Sequence, residues 1–193
     1  MQKFDGGRWE LHLIQKARDF AFTAHLGQKR RLSDEPYFVH AENVARLLEE
    51  SGLSKECIAA GYLHDVVEDT PITMDEITNV FGDKVSMLVK ANTEDKSLNW
   101  EARKLHTINS IKTASFEEKA LITADKLDNA SSLLKHHERL GDEMWSSFKR
   151  GKAQQVWYYQ QIGEQLEKYR KHDEPSDLLE EFLKVLAKLK KLS

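Results

Sequence analysis

Apolar residues recur at spacings of three and four along almost the whole chain, the period of a helix with one buried face. Trp9 to Leu26 forms the first such segment, with Leu13, Ala17, Phe20, Ala21 and Ala24 on one side and Gly27 at its end. His40–Glu50 follows, carrying Val44, Leu47 and Leu48. Ser54 is a natural N-cap for a third helix running through Ile58, Ala59, Tyr62, Leu63, Val66 and Val67. Thr70-Pro71 ends it, since proline lacks a donor and restrains its predecessor. Shorter helices are predicted over Met74–Phe81 and from Gly82-Asp83 to Asn92, then longer ones over Trp100–Lys112 and Phe116–His136. Gly141 and Gly151 bracket a segment around Trp145 and Phe148, and a last helix of the main body runs through Trp157, Ile162 and Leu166. No stretch alternates with the period of a strand. The expected fold class is all-α.

One boundary stands out, at Lys171-His172-Asp173-Glu174-Pro175. The reading is a single domain over residues 1–170 and a C-terminal amphipathic helix within 171–193. Leu178, Leu179, Phe182, Val185, Leu186 and Leu189 form its stripe, opposite Glu180, Glu181, Lys184, Lys188 and Lys191. A membrane-surface helix wants a basic polar face; this face mixes both signs, so docking on the bundle or on a second subunit is expected.

Composition sharpens the picture. Nine glycines and three prolines in 193 residues are about half the usual share, which suits long helices. The 29 basic and 32 acidic residues leave a net charge of −3, which disfavours nucleic-acid binding driven by counterion release. Apolar runs fall far short of the ~20 residues that span a bilayer, and the first residues lack the apolar core of a secretion signal. One cysteine, Cys57, cannot form an internal disulfide, in keeping with a reducing cytoplasm.

Chemistry concentrates in Leu63-His64-Asp65-Val66-Val67-Glu68-Asp69-Thr70. On a continuous helix, His64 and Glu68 share a face with Asp65 and Asp69 beside them. Burying several carboxylates together is costly without a cation, so a metal is one reading and a solvated helix end the other. His40 opens the second helix, and Asp125 follows the apolar run Ala120-Leu121-Ile122-Thr123-Ala124. An aspartate there needs a partner. His40, His64, Asp65 and Asp125 make a mixed nitrogen and oxygen set that suits Mn, Fe, Zn or Mg.

The ordered series His…His-Asp…Asp resembles the signature of the HD superfamily of metal-dependent phosphohydrolases. The resemblance extends through Ala24-His25-Leu26-Gly27-Gln28-Lys29-Arg30-Arg31, Glu35-Pro36-Tyr37-Phe38-Val39-His40, Phe81-Gly82, Thr93-Glu94-Asp95-Lys96 and Ala124-Asp125-Lys126-Leu127-Asp128-Asn129. Together these are similar to the hydrolase domain of RelA/SpoT proteins, most closely the stand-alone small alarmone hydrolases. The match runs from about Phe20 to Asn129 and, more loosely, through Gln155-Val156-Trp157-Tyr158-Tyr159.

That resemblance implies an HD-domain helical bundle holding one divalent metal, commonly Mn (Fe, Zn, Mg and Co are alternatives), through His40, His64, Asp65 and Asp125. It implies hydrolysis of the 3′-pyrophosphate of guanosine tetra- or pentaphosphate, ppGpp or pppGpp, in the cytoplasm. Glu68 and Asp69 would orient or deprotonate water. Arg30 and Arg31 would stack on guanine or clamp phosphate. Lys96 would neutralise phosphate, Lys126 and Lys152 would be weaker cationic candidates, and Asn129 would hydrogen-bond substrate. The expected partner is a small nucleotide, without nucleic acid or membrane; homo-oligomerisation stays open. This sequence departs from its relatives at Arg30-Arg31-Leu32-Ser33-Asp34, one residue longer than the usual Arg-Lys-Ser-Gly and without its glycine, and at Ala41, where proline is frequent. The alternatives are an HD-type phosphatase of a nucleoside monophosphate or NADPH, or a non-catalytic HD binding module.

Overall fold

The computed structural model describes residues 6–171 and 177–192, with side chains from residue 12 onward. The helices are α1 Gly6–Ala24, α2 Phe38–Glu50, α3 Lys55–Leu63, α4 Val66–Asp69, α5 Met74–Phe81, α6 Asp83–Asn92, α7 Trp100–Ser110, α8 Phe116–Leu140, α9 Gly151–Lys168 and α10 Asp177–Lys190. A 3-10 segment, Gly141–Ser147, joins α8 to α9. Among the described residues extended pairing is limited to one bridge between Lys29 and Pro36.

Local chemistry sets the helix starts. Thr73 with Glu76 and Ser115 with Glu118 form reciprocal capping boxes at α5 and α8, each satisfying two backbone donors. The Ser54 and Asn99 side chains accept from Cys57 N and Ala102 N at the starts of α3 and α7. The apolar α3 runs through the middle of the bundle, packed by α1, α2, α6 and α8. Such all-round hydrophobicity is what burial on every side requires. Gly61 lets α2 come close: a Cβ there would sit 2.8 Å from Leu48 Cδ1 and 3.0 Å from Ala45 Cα. The same device seats α10 on α9, where a Cβ on Gly163 would lie 2.6 Å from Leu186 Cδ2. Phe182 and Leu189 of α10 are fully buried, so this amphipathic helix docks on its own bundle. The expected boundary at Lys171–Pro175 lies, beyond its first residue, outside the described residues.

One expectation is corrected. The third helix is not continuous to Val67: α3 ends at Leu63 and α4 begins at Val66. Asp65 (φ −101°, ψ −5°) occupies the bridge region between them. The last four carbonyls of a helix have no intrahelical partner, and His64 Nδ1 takes one of them, Gly61 O, at 2.8 Å. On a straight helix consecutive side chains diverge by about 100°; the break lets His64 and Asp65 aim at one point. Two further ends differ by small steps: α8 extends to Leu140, past His136, and α7 stops at Ser110.

Candidate metal centre and cleft

Four side chains from three helical elements converge. His40 comes from the first turn of α2, His64 and Asp65 from the α3–α4 break, and Asp125 from the middle of α8. His40 and His64 are fully buried, and Asp125 almost so. His40 Nε2 and His64 Nε2 are 3.2 Å apart. Asp65 Oδ2 lies 2.9 Å from His64 Nε2 and 3.6 Å from His40 Nε2. Asp125 Oδ1 lies 3.4 Å from His40 Nε2 and 3.9 Å from His64 Nε2.

The tautomers follow from the outer partners. His64 Nδ1 faces a carbonyl oxygen, and His40 Nδ1 faces Asp128 Oδ2 at 2.6 Å. Both partners only accept, so both Nδ1 atoms donate and the neutral rings turn two Nε2 lone pairs toward each other. Two lone pairs and two carboxylate oxygens meeting at the largely buried floor of a cleft repel unless a positive charge sits between them. Ligands about 2.1 Å from one metal are roughly 3.0–3.4 Å from each other; the His40–His64 and His40–Asp125 spacings fall in that range and the remaining three run from 2.9 to 3.9 Å around it. The residues present fit a divalent cation. A proton and a metal cation compete for the same place: burial pushes the His40 imidazolium down, yet hydrogen bonds to Asp125, Asp128 and Asp65 more than offset it and hold its pKa at about 10, so a bound metal would have to displace a proton from Nε2. His64 is also raised: burial lowers it most, but Asp65 and Asp125 together outweigh that effect. Burial raises Asp65, but the two imidazoles hold it well below the usual carboxylate range.

A supporting layer fixes this cluster. Asp128 accepts from His40 Nδ1, from Asn43 Nδ2 at 2.8 Å and from Arg30 at 3.2 Å. Lys126 Nζ and Asn129 Nδ2 each hold one oxygen of Asp125 at 2.5 Å. Tyr37 OH donates to Asp65 Oδ2 through a short hydrogen bond, and the His25 ring lies 4.8 Å from Tyr37. Asp128 and Tyr37 stand in the quoted motifs, yet sequence reasoning gave them no role. Asp125, Asp128 and Asn129 stand at i, i+3 and i+4, one helix face, which was the available signal.

Beside the cluster opens a cleft of about 410 Å³, lined among others by Asp65, Asp125, Glu68, Asp69, Arg103 and Lys104. Glu68 and Asp69 thus share a wall with Asp65 and Asp125. Burial, then the negative charges of Asp65, Glu94 and Asp69, push the Glu68 carboxyl above its ordinary value, against the Glu94 N–H that it accepts at 3.1 Å. The expected cationic residues separate. Arg31 lines the cleft, stacked 5.3 Å over Phe148 and donating to Ser147 O. Arg30 instead turns behind the cluster, to Asp128 and to Asn129 Oδ1 at 3.2 Å. Lys96 binds Asp69 Oδ1 at 2.5 Å and Glu68 O at 2.6 Å, so it neutralises the acidic pair from the outside. Lys152 pairs with Asp142. Arg103 and Lys104, given no role from sequence, supply the cleft with positive charge while paired to Glu94 at 3.1 and 2.7 Å. The longer loop is absorbed in a turn closed by Arg30 N to Glu35 O and Tyr37 N to Gln28 O, both 2.9 Å, which keeps Arg30 and Tyr37 directed inward.

The family model for the HD domain matches residues 17–142. The chain belongs to the HD domain family. Among relatives of this HD domain, guanosine-3′,5′-bis(diphosphate) 3′-pyrophosphohydrolase of Aquifex aeolicus is 36% identical over 123 residues, covering 62% of the chain and 18% of that protein. The enzyme of the same name, MESH1, from Danio rerio is 36% identical over 132 residues, covering 67% of the chain and 71% of that protein. The aligned part of the chain thus spans under a fifth of the long relative and most of the short one. Among solved structures, lmo0812 of Listeria monocytogenes EGD-e superposes with a TM-score of 0.74 at 43% identity, over 81% of this chain and 99% of that one. A metazoan SpoT orthologue shares the fold, with a TM-score of 0.75 at 23% identity over 94% and 97% of the two chains. No helix among the described residues is long and apolar enough to cross a membrane.

Proposed function

We propose that this HD domain hydrolyses the 3′-pyrophosphate of ppGpp or pppGpp, releasing pyrophosphate, with manganese as its metal. The observation that carries the reading is the convergence of two imidazole nitrogens and two carboxylate oxygens beside the Glu68–Asp69 pair. The relatives from Aquifex aeolicus and Danio rerio named for this reaction support the choice of substrate. His40, His64, Asp65 and Asp125 would hold the metal; when bound, it supplies Lewis acidity, acidifying water and polarising a phosphoryl oxygen.

The chain's own residues do the rest. Glu68, whose carboxyl burial and Asp65 raise above its ordinary value, accepts a proton from the attacking water. Lys96 holds Asp69 in place beside it. Attack on the phosphorus joined to the 3′ oxygen breaks that P–O bond, and the 3′ oxygen leaves as the hydroxyl, taking up the proton that Glu68 accepted from the water. Lys126, Arg103 and Lys104 offset the charge gathered on the pyrophosphate, while Arg31 on Phe148 offers a planar surface for the base. The buried Cys57 is in keeping with work in the reducing cytoplasm.

Glu68→Gln tests the assignment. The variant is expected to bind manganese with wild-type affinity and to lose turnover of ppGpp; full turnover would remove Glu68 from the mechanism. His64→Ala and Asp125→Ala are expected to lose both metal and activity.

A further inference from the structure

Behind the metal centre lies a second cavity of about 280 Å³. It meets the centre only at the outer side, through His40 and Asp128; Asp65, Glu68 and Asp125 do not line it. Its donors are Arg30, Ser131, Ser132, Lys135, His136 and Arg139. Lys135 and Arg139, both exposed, stand one turn apart on α8, a mildly unfavourable like-charge spacing. Lys135 has no ion-pair partner among the described residues, and Arg139 is held by Leu32 O at 2.9 Å and by His136 Nδ1 at 3.4 Å. Two acids also face the space. Asp128 is already committed to His40, Asn43 and Arg30, and Glu35 is exposed on the rim.

We propose that this rear cavity is a second binding site, for a phosphate-type dianion, set apart from the front cleft by a smaller cavity of about 180 Å³ that shares Arg30, Ser132 and His136 with it and Arg31, Tyr37 and Asn129 with the cleft. The volume accommodates inorganic phosphate or pyrophosphate and lies below the ~300–1,000 Å³ of sites that enclose drug-sized ligands. Two unbranched cationic arms, two serine hydroxyls and an imidazole are the donor set such an anion wants. His136 registers the same field: burial, then the charges of Arg139, Arg30 and Lys135, hold its pKa below the ordinary value, with Glu35 opposing. Because Arg30 and Asp128 bridge the cavity to His40, an anion bound here acts on the outer partner of a metal-ligating imidazole. The inference stands whichever nucleotide the front cleft takes.

The test follows the His136 imidazole resonance, assigned by His136→Gln, in the magnesium-loaded protein as inorganic phosphate is added. A saturable shift is expected, with the His136 pKa rising by about one unit or more, as an opposite charge nearby produces. Lys135→Gln/Arg139→Gln is expected to lose this response or weaken it at least tenfold. Lys135→Gln alone, which keeps the Arg139–Leu32 bond, should weaken it in the same direction. A titration with guanosine diphosphate distinguishes the sources: a response removed by the double variant makes the occupant a nucleotide's phosphate tail, and a response confined to inorganic phosphate makes it the free anion. Equal phosphate affinity in the double variant, or an unmoved His136 in the wild type, overturns the proposal.

Discussion

His40 and Asp128 show how a single outer contact settles a ligand's chemistry. Asp128 fixes the imidazole tautomer and makes Nε2 a better donor, and it is itself held by Asn43 and Arg30. Removing such a partner typically costs 10–100-fold in metal affinity or activity, so Asp128→Ala is expected to weaken manganese by about that factor in calorimetry; unchanged affinity would show that the contact is dispensable. Glu68 carries a different signature. Its folded pKa is raised above 4.5, by burial first and by Asp65 next. A raised carboxyl contributes stability that is present below the unfolded value and lost as pH rises through the folded one. In chelator-treated protein, Glu68→Gln should therefore raise Tm at pH 7 and leave it unchanged near pH 4. A lower Tm at pH 7 would contradict the direction of that shift. The convergent cluster of His40, His64, Asp65 and Asp125 was legible in the sequence because histidines and aspartates set against apolar runs are costly. Arg30 was not legible in its role, since only the fold shows that its guanidinium faces Asp128 and Asn129 instead of the cleft.

At the scale of elements, the spacing of apolar residues located the helices because each buries one face, and Ser54 marked a true start. The break between α3 and α4 escaped the pattern. Val66 and Val67 continue the helical period, and nothing local announces that the His64 side chain will cap Gly61 O. That break is what brings the adjacent His64 and Asp65 side chains to one point, with His64 Nε2 2.9 Å from Asp65 Oδ2. Gly61 is the matching requirement on the other side, as it lets α2 carry His40 close to α3. Gly61→Ala forces Leu48 or the α2 backbone to move, and overpacking of this kind costs about 1–3 kcal/mol. Urea titration should show that loss together with weaker metal binding; an unaltered midpoint would mean that the helices have room to spare. Ser115→Ala removes a cap far from the site and should cost about 1 kcal/mol while leaving turnover intact.

For the whole molecule, the near-balance of 29 basic and 32 acidic residues conceals a strongly sorted interior. Carboxylates gather at the α3–α4 break and on α8, with cations ranged around them in the cleft and behind it. The C-terminal helix completes the bundle: Phe182→Ala should cost about 3–5 kcal/mol, read as a lower denaturation midpoint with the kcat of the folded fraction preserved. A long relative and a short one share this one domain, and the central claim concerns the bond that it breaks. The most direct measurement is product identity after incubating the manganese-loaded protein with ppGpp, with NADPH and a nucleoside monophosphate in parallel. The account predicts pyrophosphate and guanosine diphosphate from ppGpp, abolished by chelation and by His64→Ala. Orthophosphate from NADPH or the monophosphate, with ppGpp left intact, would contradict it.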